Sequence, residues 1–327
     1  MIDRDHAAPS PDATAAHHKL DALSARLRSA TLDALWRQWS AVGGMVSARA
    51  RATSVVDPEV LMLMSLALET VEPRFGDLLS DWARLNSELL SVQRMRNLAR
   101  RFPEGIGESL AAFARIALTE GKDHRWKSIA GTEASLDLGR RHQGKSRATR
   151  AQLLEPTALL LRLRLVFGVG IKADLIGFLL STDRGERASI GTIATATGYT
   201  VAAVRKAAQA LAEARVIEEE EGARAEYHAD RGKWTSLLGI ESVPPWRAWS
   251  ERYIFVAHFL AWARDADARP LTSYLLESRG RELLEQHPGA FRWNDVWRQQ
   301  SRVMEGTGAD ELSVAIDALA QRMMREA

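Results

Sequence analysis

Residues 172–230 read KADLIGFLLSTDRGERASIGTIATATGYTVAAVRKAAQALAEARVIEEEEGARAEYHAD. Apolar residues recur every three to four positions from 173 to 180, which predicts a helix. Ser189 and Thr200 each stand before a further such run, where their side chains can accept hydrogen bonds from the first N–H groups of a helix. Gly198 separates these two helices, because glycine adopts the left-handed backbone of a tight turn without a steric penalty. The stretch therefore predicts three helices, with a sharp corner between the second and the third.

Two short strands are predicted after the third helix. Val216 and Ile217 begin the first strand, Gly222 offers a hairpin turn, and residues 225–229 can return as its partner. The order helix, helix, tight turn, helix and hairpin resembles the winged helix-turn-helix domains of bacterial transcription regulators. The resemblance is carried by IATATGYT (193–200) and AVRKAAQAL (203–211), closed by the start of the first strand.

The resemblance implies that the third helix, residues 201–214, lies in the major groove of double-stranded DNA. Arginine and lysine suit phosphates and guanine edges, and glutamine can pair with adenine. Arg224, at the tip of the hairpin, would contact the minor groove or a phosphate. The outward-facing positions of the third helix that are candidates for DNA contact are Thr200, Ala202, Arg205, Lys206 and Gln209.

The first predicted strand carries four consecutive glutamates, residues 218–221. Their carboxylates would repel phosphate, and Arg215 stands where the pattern usually has the glycine that ends the third helix. A second interpretation therefore stays open, in which the winged helix contacts a protein. Such a protein would be an interaction adaptor, an antitoxin or a component of a defence system, with its acidic strand against a basic partner.

The composition is that of a folded protein without disulfide or thiolate chemistry. Charged residues make up 26% of the 327 residues and no cysteine is present, which excludes disulfides, thiolate zinc sites and cysteine nucleophiles. The formal net charge is only +2, so any attraction to DNA must be local. No apolar run is long and uncharged enough for a membrane span, and the first residues contain no signal-peptide core. We expect a cytoplasmic, nucleoid-associated protein with no membrane partner.

The chain is predicted to be mainly α-helical, with the winged helix-turn-helix between two helical parts. The first residues are rich in Ala, Pro, Asp and His, which is typical of a disordered tail. Apolar runs rich in Trp predict a small helical bundle at the other end. The predicted organisation is a disordered tail at 1–19, an N-terminal helical domain at 20–120, a basic linker at 121–155, the winged helix-turn-helix domain with its β-hairpin at 156–240, and a Trp-rich C-terminal helical domain at 241–327.

The N-terminal domain contains a second candidate DNA-binding element, a divergent helix-turn-helix at residues 75–102. Upstream of it, the triplet 57–59 (Asp-Pro-Glu) predicts the start of a central apolar helix. The last helix of the element, residues 91–102, has one apolar face and one face with arginines. A solvated surface helix has the same pattern, so both interpretations stay open. The arginines predicted to point outward are Arg94, Arg96 and Arg101.

Residues 139–146 read GRRHQGKS and match the phosphate-loop pattern G-x-x-x-x-G-K-S. That loop binds a nucleoside triphosphate only between a buried strand and a long helix. Two acids lie at 132–138, where the strand would be, and Pro156 would end the helix early. A chance match in a basic linker is therefore favoured, and NTP binding is the third and least favoured function. Flexible basic linkers can contact DNA phosphates, here through Arg140, Arg141 and Lys145.

Catalytic and metal-binding patterns are not evident. None of the eight histidines has the spacing of metal ligands near an acid, and no serine lies in a G-x-S-x-G motif. We therefore expect no enzymatic activity, no cofactor and no metal site. One recognition helix contacts few base pairs, and DNA-binding proteins commonly contact more of them by binding as two-fold symmetric dimers. The sequence predicts a sequence-specific, DNA-binding transcriptional regulator that acts as a homodimer.

Overall fold

The computed structural model describes residues 11–46, 50–131, 146–182, 186–220, 225–266, 271–292 and 311–327. Within these ranges the chain is mainly α-helical and has one small, three-stranded antiparallel sheet, which confirms the predicted mainly helical class. Every helix in this part of the chain is too short or too polar to cross a membrane. The strands are β1 (Ala188–Ser189), β2 (Glu218–Glu220) and β3 (Glu226–His228). The helices are α1 (Pro11–Ala41), α2 (Pro58–Ala67), α3 (Arg74–Asn86), α4 (Val92–Ala99), α5 (Ile106–Thr119), α6 (Lys127–Ala130), α7 (Leu159–Phe167), α8 (Ile171–Ser181), α9 (Ile190–Thr197), α10 (Val201–Glu213), α11 (Arg231–Leu238), α12 (Trp249–Ala266), α13 (Ser273–Gln286), α14 (Gly289–Arg292) and α15 (Glu311–Glu326), with short 3-10 helices at Ser87–Leu89, His124–Trp126 and Pro156–Ala158.

The chain divides into two compact units. The smaller unit comprises Met1–Asp33 and Glu251–Arg325, and the larger unit comprises Ala34–Ser250 and Glu326–Ala327. The predicted domains follow the order of the chain, whereas this division groups most of the first helix with helices from the other end. Such a grouping depends on contacts between residues that are distant in sequence.

The smaller unit begins with α1, which starts at Pro11. Proline suits the first turn of a helix because the N–H group that it lacks would have no partner there. Residues 11–19 are therefore helical rather than the disordered tail that their composition predicts, and residues 1–10 lie outside the described ranges. The reason is a stripe of small and apolar side chains at helical spacing, all buried: Ala13, Ala16, Leu20, Leu23 and Leu27.

Helix α2 lies at the centre of the larger unit and is buried on nearly every side. The Asp57 side chain accepts a hydrogen bond from the Val60 N–H group at 3.4 Å, and Pro58 occupies the first turn. The predicted start of this helix is thus confirmed. The core around it is rich in large aromatic side chains, and the fully buried ones include Trp39, Phe75, Trp82 and Trp126.

Residues 171–238 fold in the order α8, β1, α9, α10, β2, β3 and α11. The Ser189 side chain accepts a hydrogen bond from the Thr192 N–H group at 3.2 Å, at the start of α9. The Thr200 side chain accepts one from the Ala203 N–H group at 3.3 Å, at the start of α10. Both predicted helix caps are therefore confirmed.

The corner between α9 and α10 has the left-handed backbone that the sequence predicts. Gly198 has a φ of 74° there, a conformation that costs glycine little. Arg215, just after α10, also has a positive φ, of 56°. An arginine thus adopts the conformation that glycine usually supplies at the end of a helix.

The sheet has the strand order β1-β3-β2, so β2 is an edge strand. Strands β2 and β3 form the predicted antiparallel hairpin, with Glu219 opposite Tyr227. Strand β1, which the sequence pattern does not indicate, pairs with the other side of β3 and places Ala188 opposite Tyr227. Helices α8, α9 and α10 and the sheet share one apolar core, which includes Ile176, Leu180, Ile193, Val204, Leu211 and Tyr227.

The close approach of α3 and α5 at Gly121 yields a first prediction. A Cβ atom on Gly121 would lie 2.7 Å from the Ala117 carbonyl oxygen and 2.9 Å from the Ala83 carbonyl oxygen. Backbone atoms cannot move aside as a side chain can, so Gly121→Ala should lower the free energy of unfolding by about 1–3 kcal/mol. Urea denaturation measures this change.

Gly107→Ala is the matched control. Gly107 lies in the first turn of α5, is exposed, and has no atom within 4 Å of the position of an added Cβ. Alanine there should raise the free energy of unfolding by up to about 1 kcal/mol, because alanine favours helix. Equal effects of the two substitutions would contradict the close approach at Gly121.

Candidate nucleic-acid interface

Helix α10 has one buried face and one exposed face. Val204, Ala208 and Leu211 are buried against α8, α9 and the sheet. The five candidate positions of this helix all lie on the solvent side, as the sequence predicts: Thr200, Ala202, Arg205, Lys206 and Gln209 are exposed. The structure therefore brings these side chains together on one surface, and their contact with DNA stays a prediction.

The scaffold under this surface is closely packed. Ala207 and Ala208 are buried on the inner side of α10, and small side chains let neighbouring helices approach closely. Gly198 and the Thr200 cap define where α10 begins. The exposed side chains thus project from a regular helix that is fixed at its first turn and along its inner face.

The acidic strand β2 is exposed, and each of its glutamates has a polar partner nearby. Glu218 lies 3.2 Å from His228 Nε2 and 3.5 Å from Lys233 Nζ. Glu219 accepts a hydrogen bond from the Tyr227 hydroxyl at 3.0 Å, and Glu220 forms an ion pair with Arg187. Cationic groups on neighbouring elements therefore compensate part of the charge that the sequence alone places here. Glu221 and the candidate contact Arg224 lie outside the described residues.

The prediction for Arg94 is wrong. This side chain is 2% exposed and points into the protein, where it donates hydrogen bonds to Asp57 and Glu59. Its Nε group also donates to the Thr197 carbonyl at 2.9 Å. Arg94 is turned inward because the two carboxylates at the start of α2 compensate its charge, so it cannot contact DNA.

The other candidate cations outside α10 differ in how exposed they are to solvent. Arg96 is half-buried and donates to Ser128, whereas Arg101 is exposed. The basic residues Arg140, Arg141 and Lys145 lie outside the described ranges, together with nearly all of the phosphate-loop-like segment 139–146. Of the arginines predicted on α4 and just after it, two therefore retain some access to solvent.

A cluster of five buried charged side chains lies directly beneath the corner between α9 and α10. We refer to Asp57, Glu59, Arg94, Arg164 and Asp174 as the ion cluster. Arg164 donates to Glu59 at 2.6 Å and to both carboxylate oxygens of Asp174, at 2.8 Å and 2.9 Å. The Tyr199 hydroxyl donates to Asp174 at 2.8 Å. The cluster therefore joins α2, α4, α7 and α8 to the corner at residues 197–199.

The electrostatics of the cluster favour the charged forms of Glu59, Arg94 and Arg164. Burial raises the pKa of Glu59, but the charges of Arg164 and Arg94 and hydrogen bonds from Arg164 and the Ser91 N–H group lower it to about 2. Burial also lowers the pKa of Arg94 and of Arg164, and the surrounding carboxylates raise both well above the usual value. Burial and Asp174 together raise the pKa of Tyr199, so its hydroxyl stays protonated and donates to Asp174.

Sequence reasoning missed this cluster, although a signal for it exists. Arg164 interrupts the apolar run of α7, and Asp174 lies within the apolar helix α8. A charge within an apolar stretch must be paired if the stretch is buried. The described residues contain no group of three or more His, Asp or Glu side chains suited to a metal ion.

Comparison with known protein families, with curated proteins and with solved structures finds no match for this chain.

Glu59 gives the second prediction, which concerns stability at acid pH. Its pKa in the folded protein, about 2, lies below the usual 4.5. A lowered pKa contributes stability that is present above the usual value and is lost as the pH falls towards the folded value. Glu59→Gln should therefore flatten the dependence of the unfolding free energy on pH between about 4.5 and 2. At neutral pH it should cost about 1–3 kcal/mol, because the charge-assisted hydrogen bonds from Arg94 and Arg164 are weakened while Asp57 and Asp174 still compensate both cations.

The control is Glu88→Gln, at an exposed glutamate that pairs with Arg150 at 3.2 Å. Loss of such a surface pair should cost at most about 1 kcal/mol. Urea denaturation across a pH series measures both variants. An acid dependence of Glu59→Gln equal to that of the wild type would show that Glu59 is not the group responsible.

Proposed function

We propose that this protein is a sequence-specific, DNA-binding transcriptional regulator, in which α8, α9, α10 and the sheet act as a winged helix-turn-helix. The observation that carries the proposal is the exposed face of α10, which presents Arg205, Lys206 and Gln209 from a helix whose opposite face is buried. A helix of this kind fits the major groove of B-DNA, where side chains distinguish all four base pairs.

The side chains of this face suit both phosphate contacts and contacts with base edges. Arg205 and Lys206 can bind phosphates or the O6 and N7 atoms of guanine, and Gln209 can pair with adenine. Thr200 lies at the start of the helix, where N–H groups and hydroxyls often bind phosphate. Ala202 is small enough to let the first turn of the helix approach the bases and to contact a thymine methyl group.

A homodimer is part of the proposal. One α10 would read only a few base pairs, and two copies related by a two-fold axis would read two half-sites about 34 Å apart. The expected target is therefore a duplex with an inverted repeat.

The third prediction tests the DNA-reading face. Duplexes selected from a random library by the wild-type protein serve as the probe, and the stoichiometry of the complex reports the number of copies bound. Arg205→Ala or Lys206→Ala should weaken binding by about 1–3 kcal/mol if the side chain meets a base edge, and should lower the salt dependence by about one phosphate contact if it meets the backbone. Gln209→Ala should reduce the preference for one particular base pair at a single position of the selected duplex.

Arg74→Ala is the control for this series. Arg74 is also an exposed arginine, but its guanidinium already binds Glu72 at 2.7 Å and lies over the Trp36 ring. Its removal should leave DNA affinity unchanged. If the double variant Arg205→Ala/Lys206→Ala bound the selected duplex like Arg74→Ala, α10 would not be the reading helix.

A second candidate function is that of a protein-interaction adaptor, and the edge strand β2 favours it. Within the described part of the chain, one backbone edge of this strand has no neighbouring strand, and its three glutamates, Glu218–Glu220, are exposed. An open strand edge can pair with a strand of another protein, and the carboxylates would favour a basic partner.

The fourth prediction separates these two functions. In the regulator, β2 lies near the phosphates, so Glu218→Gln/Glu220→Gln should raise DNA affinity about two- to fivefold at low salt, through loss of repulsion. In the adaptor, the same variant should lose a copurifying basic partner without any gain in DNA affinity. Glu282→Gln, at an exposed glutamate paired with Arg279 on α13, is the control and should change neither.

A further inference from the structure

Two hydrogen bonds from buried side chains hold the corner between α9 and α10. Arg94 Nε donates to the Thr197 carbonyl at 2.9 Å, before Gly198, and the Tyr199 hydroxyl donates to Asp174 at 2.8 Å, after it. The corner is thus held on both sides of its only left-handed residue. A rotation of α10 about Gly198 would move Tyr199 away from Asp174, while Arg94 holds the end of α9.

Both bonds belong to the ion cluster and are therefore held rigidly. The Arg94 guanidinium binds both carboxylate oxygens of Asp57 at 2.6 Å and one oxygen of Glu59 at 2.6 Å. A planar guanidinium held at several donors has one orientation. Arg164 binds Glu59 and Asp174 in turn, so the two bonds to the corner are the two ends of one connected network.

The Thr197 carbonyl is a favourable target for Arg94. It lies at the C-terminal end of α9, where the last carbonyl groups of a helix lack partners within the helix and carry partial negative charge. The Gly198 N–H group continues the helix by donating to the Ala194 carbonyl at 2.9 Å. Arg94 supplies the Thr197 carbonyl with a donor from another element.

We propose that Arg94 and Tyr199 are positioning residues, which set the orientation of α10 through the ion cluster without contacting DNA. This inference rests on the function proposed above. Burying five charges is a weak source of stability, because desolvation offsets their attraction. A cluster in which several directional hydrogen bonds hold each guanidinium instead favours one geometry. A reading helix needs that geometry, since a binding site works only when its side chains are held to within about 0.5 Å and 10–20°.

The experiment uses two conservative variants with matched controls. Arg94→Lys keeps the buried charge but lacks the Nε donor and the planar fork. Tyr199→Phe keeps the ring and removes only the hydroxyl, while Asp174 retains its two bonds to Arg164. Arg74→Lys, at an exposed arginine that pairs with Glu72, and Tyr274→Phe, at a 76% exposed tyrosine, are the controls.

Three measurements on the full chain distinguish positioning from a merely structural role. Hydrogen exchange of the backbone amides at residues 198–206 should become faster in both variants and not in the controls. Affinity for the duplex selected by the wild type should fall about 3- to 30-fold, as for residues that act without touching the ligand. The slope of affinity against salt concentration should stay that of the wild type, because no phosphate contact is lost.

The possible outcomes separate this inference from the proposed function. If the wild type selects no DNA, the proposed function fails, and the exchange measurement still decides whether the cluster holds the corner. If the wild type selects DNA and Tyr199→Phe matches Tyr274→Phe in exchange and affinity, positioning is wrong and the function stands. Faster exchange at residues 198–206 in both variants with unchanged DNA affinity would overturn the inference, because the corner would then not control DNA binding. If Arg94→Lys does not fold, Tyr199→Phe decides alone.

Discussion

The Glu59 carboxylate accepts hydrogen bonds from two buried guanidinium groups, Arg94 at 2.6 Å and Arg164 at 2.6 Å. Neither guanidinium could stay buried without carboxylate partners, because it remains charged and a buried charge must be compensated. Arg94 reaches the Thr197 carbonyl and Arg164 reaches Asp174. One acid in the first turn of α2 therefore links the centre of the larger unit to the helix that carries the candidate DNA contacts.

Local features of the fold could be predicted because each depends on residues within one helical turn. The caps at Ser189 and Thr200 and the corner at Gly198 need only the backbone preferences and side-chain oxygens of those residues. Arg94 could not be placed in the same way. It lies at the margin of the apolar face of α4, and its direction is decided by Asp57 and Glu59, which are 37 and 35 positions away.

Contacts between residues distant in sequence explain the other differences between the predicted and the observed structure. Strand β1 has two residues, too few to show an alternating pattern, and exists because Ala188 pairs with Tyr227. The helical start of α1 at Pro11 has a similar cause, since Ser273 donates to Asp12 across 261 positions and residues of this stretch are buried. The local composition predicts a disordered tail there, because it contains no information on hydrogen-bond partners so distant in sequence.

If the proposed function is correct, the orientation of the α10 side chains should contribute more to DNA affinity than the net charge of the chain. The exposed face of α10 offers two cations, Arg205 and Lys206, and the chain has a formal net charge of +2. The glutamates of β2 engage cations that could otherwise have bound phosphate, Arg187 and Lys233 among them. Two phosphate contacts from α10 would release few counterions and give weak non-specific attraction. Specific affinity must then come from base edges, whose hydrogen bonds tolerate little displacement. A corner held by buried ion pairs can keep the α10 side chains in the position that such hydrogen bonds require.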